Sequence, residues 1–107
     1  MRCDVAIGAI RGKNRSPIIA TEMMVEQMKE GAIIVDVSID RGGCFETSNV
    51  TTHLTPTFVK HGIIHYCVPN IPARYARTAS LSISNILTPY LLNIAEEYVI
   101  DLSNQYL

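Results

Sequence analysis

The chain has 107 residues, of which 48% are hydrophobic and 18% charged, so the composition is that of one small folded domain rather than a disordered chain. A formal net charge of −1 lacks the positive excess that nucleic-acid-binding domains usually carry. No apolar run approaches the roughly 20 residues needed to span a bilayer. The three cysteines include no C-x-x-C pair, which predicts reduced thiols in a cytoplasmic protein.

Three apolar runs predict strands that are buried on both faces. Residues 5–10 and 32–37 are almost wholly apolar without alternation, as is typical of parallel strands. Residues 63–68 form a third run, which Pro69 and Pro72 bring to an end. We expect the three strands to be parallel neighbours in one sheet.

A helix is predicted between the first two strands, over residues 21–30. Thr21 suits a helix N-cap, and Gly31 suits the position that follows a helix. Met24 and Met28 are four residues apart and are expected on one face of this helix. Strand, helix and strand together predict a βαβ unit.

The C-terminal part, residues 78–105, has a helical pattern with Pro89 in its middle. Thr88 suits a cap with proline at the first helical position, so the pattern predicts either two helices or one sharply kinked helix. Apolar residues then recur at helical spacing and predict an apolar stripe: Leu91, Ala95, Tyr98 and Leu102.

Residues 38–62 form a long connection with little strand or helix pattern. Connections longer than about 12–15 residues in compact domains are usually functional or disordered. The composition of this one is not that of a disordered segment, so a functional role is favoured.

In open α/β sheets, ligands bind beyond the carboxyl ends of the strands. This rule selects three junctions, at residues 10–11, 37–40 and 68–72. At the second junction Asp40 is expected to enter the crevice. Gly42 and Gly43 are expected to allow positive φ angles and to keep side chains away from a ligand.

Simpler interpretations of these residues remain open. Asp40 also suits an Asx turn, and a Gly-Gly pair is a common turn. Asn70 is less easily explained in this way, because "PNIP" is stiff and holds one amide in a fixed direction. The basic cluster at 11–15 is interpreted as a solvated loop. Cys44 is a possible nucleophile, but no nearby residue in the sequence supplies a base.

A metal site is not favoured, because the candidate ligands match no usual zinc spacing. His65 and Cys67 lie two residues apart and are expected to pack on one face of a strand. The full set of candidate ligands is Cys44, His53, His61, His65 and Cys67.

Several motifs resemble the C-terminal part of alanine dehydrogenase. They are "GAIIVDVSIDRGGCFETS" at 31–48, "TTH" at 51–53, "HYCVPNIPARYARTASLSISN" at 65–85 and "TPYLL" at 88–92. They occur in the expected order and cover residues 4–97. The related proton-translocating transhydrogenase α subunit shares "GAIIVD", but it is less similar after Val37 and lacks an acid at the place of Asp40.

The resemblance implies an α/β fold: the second half of an NAD-binding Rossmann-like domain over 1–77, then helices over 78–107 that would return to a substrate domain. It implies oxidation of L-alanine by NAD to pyruvate and ammonia. Asp40 is implied to be catalytic, in acid–base steps with a histidine from elsewhere in the chain. The implied cofactor-binding residues are Ile10, Arg11, Val37, Ser38, Ile39, Asp40, Val68, Pro69, Asn70 and Ile71.

This chain departs from the family at four positions. Many members have glutamine in place of Arg41, a basic residue in place of Asn49, and alanine and methionine in place of Pro69 and Ile71. The difference at Asn49 implies that one cofactor contact of the family is changed here.

The chain lacks a G-x-G-x-x-G turn and the ribose-binding acid expected about 20 residues after it. The family's substrate-binding residues and catalytic histidine belong to the preceding portion. We therefore expect a fragment that is inactive alone and associates into a homo-oligomer, without nucleic-acid or membrane partners. The alternatives are a transhydrogenase α-subunit-like fragment and a non-catalytic interaction domain that retains the fold.

Overall fold

The computed structural model describes the backbone of residues 2–105 and the side chains of residues 2–98. The chain divides into two compact units, Met1–Ile71 and Pro72–Leu107. The division of the chain into half of a cofactor domain over 1–77 and returning helices over 78–107 stays a prediction. No helix in the described part of the chain is both long and apolar enough to cross a membrane.

The first unit is an α/β unit built on a four-stranded sheet with the strand order β1-β2-β4-β3. β1 is parallel to β2, and β2 is parallel to β4, as the apolar runs predict. The register aligns Ile7 with Val35 and Val35 with Tyr66. The strands are β1 (Val5–Gly8), β2 (Ile33–Asp36), β3 (Thr57–Lys60) and β4 (Ile63–Tyr66).

β3 is a strand that the sequence interpretation missed, because it lies inside the segment read as one long connection. It pairs antiparallel with β4, and Lys60 faces Ile63 across a two-residue turn. The turn residues His61 and Gly62 both have positive φ, at 54° and 72°. Such a turn matches the twist of a hairpin, so "HG" between two apolar runs was the available signal.

The predicted helix 21–30 is shorter in the structure, where α1 covers Glu22–Glu26. Thr21 is its N-cap, as expected, and its side chain accepts a hydrogen bond from the Met24 amide. The expected methionine face is wrong: Met24 is 49% exposed, whereas Val25 and Met28 are buried. Gly31 follows a turn rather than the helix, with φ of 81° and its amide bonded to the Gly62 carbonyl.

The core of the first unit lies on one face of the sheet, so the expectation that the strands are buried on both faces is wrong: β1 alternates between exposed and buried residues. Ile34 and Ile63 are fully buried there, and Val25 of α1 packs in the same cluster with Phe45 from the long connection. Gly8 lies so close to this loop that a Cβ would stand 2.2 Å from the Cys44 sulfur. The segment after β2 therefore belongs to the core, which explains why it lacks a disordered composition.

The second unit is formed by α2 (Ala76–Gln105), which follows a 3₁₀ turn at Ile71–Tyr75. The prediction of two separate helices is wrong, because α2 continues through Pro89. Thr88 does not cap a new helix. Its hydroxyl donates to the Ser84 carbonyl one turn earlier, at 2.6 Å, which is a bond made inside a helix.

The predicted apolar stripe on α2 is only part of its apolar surface. Leu91 and Tyr98 are exposed, whereas the side chain of Leu102 lies outside the described residues. At 100° per residue, Ile86 falls on the opposite side of the helix and is also exposed. Apolar residues on both sides of a helix are typical of a helix that is buried in a larger protein.

Candidate functional site

The predicted meeting of the strand ends is present between the first two junctions. The Ser38 hydroxyl accepts a hydrogen bond from the Ile10 amide at 2.6 Å and donates one to the Ile10 carbonyl at 2.9 Å. Ser38 is only 6% exposed. One buried hydroxyl therefore fixes the chain after β1 against the chain after β2.

Asp40 connects the second junction to the third. It lies in a 3₁₀ helix, Val37–Arg41, that follows β2 directly. Its two carboxylate oxygens accept from the Asn70 backbone amide at 3.0 and 3.3 Å. Asn70 has a φ of 54°, a left-handed conformation in which asparagine is enriched. Asp40 stays exposed, so its carboxylate is fixed in direction and open to a ligand.

Asp36 is the residue of the site that sequence reasoning missed. It is 1% exposed, and its carboxylate accepts from the backbone amides of Ser38 and Cys44, both at 2.9 Å. It also accepts from the Phe45 amide at 3.4 Å and the Ser48 hydroxyl at 2.6 Å. An acid within an otherwise apolar strand was the available signal.

The paired glycines serve this carboxylate rather than an open space for a ligand. Gly42 and Gly43 have φ angles of 95° and 83°, so the predicted positive φ angles are confirmed. A Cβ on Gly43 would stand 2.8 Å from Asp36 Oδ2, and one on Gly42 would stand 2.8 Å from Arg15 Nε. The turn is therefore closed around side chains of the chain itself.

A second buried polar group supports the same loop from β4. His65 is fully buried, and its Nδ1 lies 2.9 Å from the Ile63 carbonyl, so Nδ1 carries the proton. Nε2 then accepts a hydrogen bond from the Thr47 hydroxyl at 2.8 Å. The Phe58 ring stacks on the imidazole with 4.7 Å between the two ring centroids. Burial lowers the pKa of His65 and keeps the imidazole neutral.

The buried thiols do not behave as nucleophiles. Burial, followed by the charge of Asp36, raises the pKa of Cys44 to about 11. Burial also raises the pKa of Cys67, which is fully buried like its neighbour His65, as the strand spacing predicts. Both thiols remain protonated at neutral pH, so Cys44 is a packing residue.

The candidate metal ligands from the sequence do not come together as a set. Within the described residues, the group that could hold a metal ion is Glu22, Glu26 and His61. His61 Nε2 lies 2.8 Å from Glu22 Oε1, and Lys60 Nζ lies 3.1 Å from the same oxygen. These contacts lower the pKa of Glu22. The cluster is thus an ion-pair network that connects α1 to the β3–β4 hairpin.

Two neighbouring clefts open beyond the carboxyl ends of β1 and β2. One, of about 260 Å³, is lined by Ala9, Ile10, Arg11, Val37, Ser38 and Arg41. The other, of about 380 Å³, is lined by Arg11, Gly12, Lys13 and Arg41. Both clefts are lined by Arg11 and Arg41. The apolar lining of the smaller cleft therefore adjoins the cationic lining of the larger one at this edge of the sheet.

The residues implied to bind a cofactor differ in what they can offer. The side chains of Arg11, Val37, Asp40 and Asn70 are exposed, and those of Ile10, Pro69 and Ile71 are half-buried. Ser38, Ile39 and Val68 are buried, so they offer a ligand little surface. Their roles in cofactor binding stay predictions.

A mostly parallel α/β sheet with its clefts beyond the strand ends is the arrangement of nucleotide-binding domains. The family model "Alanine dehydrogenase/PNT, C-terminal domain" matches residues 1–107. The chain belongs to this family.

Relatives and solved structures agree with this assignment. Alanine dehydrogenase 2 of Staphylococcus aureus strain USA300 is 44% identical over 96 residues, which are 88% of this chain and 26% of the relative. A solved L-alanine dehydrogenase matches with a TM-score of 0.78 and 40% sequence identity. The match covers 87% of this chain and 26% of the dehydrogenase chain. A solved transhydrogenase from Sinorhizobium meliloti matches with a TM-score of 0.74 and 26% sequence identity. The match covers 87% of this chain and 27% of the transhydrogenase chain. The chain thus spans about a quarter of the length of these relatives.

Proposed function

We propose that this chain supplies part of the NAD site and the acid–base carboxylate of an alanine dehydrogenase. The proposed reaction converts L-alanine, NAD and water to pyruvate, ammonia and NADH. The observation that carries the proposal is the bond between Asp40 and the Asn70 amide. It holds an exposed carboxylate across the edge where α/β folds bind nucleotides.

The clefts at this edge fit a dinucleotide. Ala9, Ile10 and Val37 offer an apolar surface to a ring, and Arg11 and Arg41 offer positive charge to phosphate. NAD, when bound, takes up the hydride that leaves the alanine Cα. The glycine-rich turn expected of such a site is absent from this sequence, and the chain spans 26% of the length of alanine dehydrogenase 2.

Asp40 is suited to hold and release a proton. The Asn70 amide occupies one side of the carboxylate, which leaves the other lone pairs open. These can accept a hydrogen bond from the substrate amine or from the attacking water. Because the carboxylate is fixed by a backbone group, its direction does not depend on a mobile side chain.

A transhydrogenase α-subunit-like fragment is the second candidate, and a non-catalytic interaction domain is the third. Identity with the solved alanine dehydrogenase is 40%, against 26% with the transhydrogenase, which favours the first candidate. We also propose that the chain associates with further copies, because apolar side chains remain exposed on one face of the sheet, among them Val5, Ile7 and Val59. Its cytoplasmic location stays a prediction.

The test is Asp40→Asn in an intact enzyme that carries this segment. Turnover with alanine should fall by about 10²–10⁴-fold, the usual scale for a lost acid–base group. The dissociation constant of NAD should change little, because asparagine keeps an oxygen for the Asn70 amide. Asp4→Asn is the matched control, since Asp4 is an exposed carboxylate bonded to Lys29. Near-normal turnover in Asp40→Asn would contradict the proposed role.

A further inference from the structure

Three cations surround the larger of the two clefts beyond β1 and β2. Arg11, Lys13 and Arg41 line it together with Gly12, and all three side chains are exposed. Within the part of the chain that the structure describes, none of the three forms an ion pair with an acid. The cleft therefore carries uncompensated positive charge on a chain whose net charge is −1.

The backbone that carries these cations is fixed. The Ser16 amide donates to the Arg41 carbonyl at 2.8 Å, which joins the loop after β1 to the 3₁₀ helix after β2. Arg15 Nη2 donates to the Gly42 carbonyl at 3.2 Å, and the arginine side chain covers Gly42. Arg15 is thus used in structure, while Arg11, Lys13 and Arg41 remain available.

The carboxylates of Asp36 and Asp40, on the segment that carries Arg41, do not neutralise the cleft. Asp36 is buried and accepts five hydrogen bonds from the loop that follows β2. Asp40 is exposed beside Arg41, and its oxygens face the Asn70 amide. Its single charge leaves an excess of two positive charges around the cleft.

Two guanidinium groups and an ammonium group suit an oxyanion with at least two negative charges. Arginine donates two hydrogen bonds in a planar fork that matches phosphate, and lysine adds a point charge. The smaller cleft shares Arg11 and Arg41 and continues into an apolar wall of Ala9, Ile10 and Val37. The combination fits a ligand with an apolar body and a phosphate group at one end.

We propose that Arg11, Lys13 and Arg41 form a binding site for a phosphate group, carried by a nucleotide or by a free polyphosphate. Where the phosphate belongs to a nucleotide, the proposal rests on the proposed function, and these three residues are the ones that contact the diphosphate of the nucleotide. Where it is free, the site stands without that function.

The test uses calorimetric titration of the whole chain with inorganic pyrophosphate at low ionic strength. Arg11→Gln with Arg41→Gln should weaken binding at least ~10-fold, because two charge-assisted contacts are lost. The matched control is Lys29→Gln with Lys60→Gln, which removes the same charge from cations that are paired with Asp4 and Glu22. It should change the affinity by less than ~2-fold, since it affects only the general field. Equal weakening in both variants, or no saturable binding, would overturn the site.

Circular dichroism of each variant gives the check on folding, and exposed arginines are expected to tolerate glutamine. ADP-ribose and pyruvate then identify the ligand class. ADP-ribose binding that is lost in the arginine variant assigns the phosphate to a nucleotide. Pyrophosphate binding without ADP-ribose binding supports a site for free polyphosphate and counts against the cofactor role. Pyruvate binding as tightly as pyrophosphate would show a carboxylate site and overturn the phosphate proposal.

Discussion

Replacing Asp36 with asparagine tests whether this buried carboxylate holds the loop after β2. Asparagine keeps the shape but turns one acceptor oxygen into a donor. With the new NH₂ at the Oδ1 position, it opposes the Ser38 amide and the Cys44 thiol, which donate to this oxygen of Asp36 at 2.9 and 3.6 Å. In the other orientation it opposes the amides of Cys44 and Phe45 as well as the Ser48 hydroxyl, so the first is preferred.

The expected loss follows from two opposing contributions. A hydrogen bond to a charged group is worth about 1.5–3 kcal/mol, and the buried amide left unpaired costs about 1–3 kcal/mol more. Neutralising a buried charge without an ion-pair partner returns part of this energy. We expect the free energy of unfolding to fall by about 2–4 kcal/mol, a large share of the roughly 5–15 kcal/mol of a typical domain.

Urea unfolding followed by circular dichroism measures this loss, with Asp4→Asn as the control at an exposed carboxylate whose ion pair is worth about 0–1 kcal/mol. Hydrogen exchange gives a local readout. The Ser38 amide should lose protection first, because the preferred orientation of the asparagine removes its acceptor, whereas the amides of Cys44 and Phe45 keep theirs. A loss below about 1 kcal/mol, with unchanged exchange at the Ser38 amide, would refute the reasoning.

Two further predictions concern titratable groups in the core. With a thiol reagent at neutral pH, only Cys3 should react quickly in the native chain, because Cys44 and Cys67 are fully buried with raised pKa values; rapid reaction of all three would contradict this. The free energy of unfolding should be highest above the ordinary histidine pKa of 6.5 and should decrease as pH falls below it. The unfolded chain binds a proton there that His65, with its lowered pKa, does not bind in the fold. Urea midpoints between pH 8 and 5 measure the effect, which His65→Gln should reduce; an unchanged slope in that variant would exclude His65 as the cause.

The sequence predicts the positions and the parallel pairing of three strands well, because each is a continuous apolar run whose length is informative, although only one face of the sheet is buried. β1, β2 and β4 each lie within their predicted ranges. β3 was missed because its exposed and half-buried residues alternate weakly over only four positions. Pro89 misled the interpretation of the C-terminal part: a proline removes one backbone bond, yet α2 continues past it.

The residues at the rim of the candidate site, Ser38 and Asp40, were predictable from the sequence. The buried contacts that support them, made by Asp36 and His65, were not. Ser38 and Asp40 stand at a strand end, and topology brings such ends together without knowledge of side-chain contacts. The contacts beneath the rim join residues far apart in sequence. Thr47 meets His65 across 18 positions, and Asp36 meets Ser48 across 12. No local pattern reports such pairs.

The two aspartates at the end of β2 have different roles: Asp36 supports the structure, and Asp40 is proposed to take part in the chemistry. Asp36 holds the Ser38 amide, and the Ser38 side chain in turn holds the Ile10 backbone, so the 3₁₀ helix that carries Asp40 leaves the sheet in a fixed direction. A change at Asp36 should therefore lower stability and displace Asp40 together, since the same contacts serve both. A change at Asp40 should leave stability nearly intact, because its carboxylate is exposed and bonded only across the rim. The acid that supports the fold is thus distinct from the acid that the proposed reaction needs, although only three residues separate them.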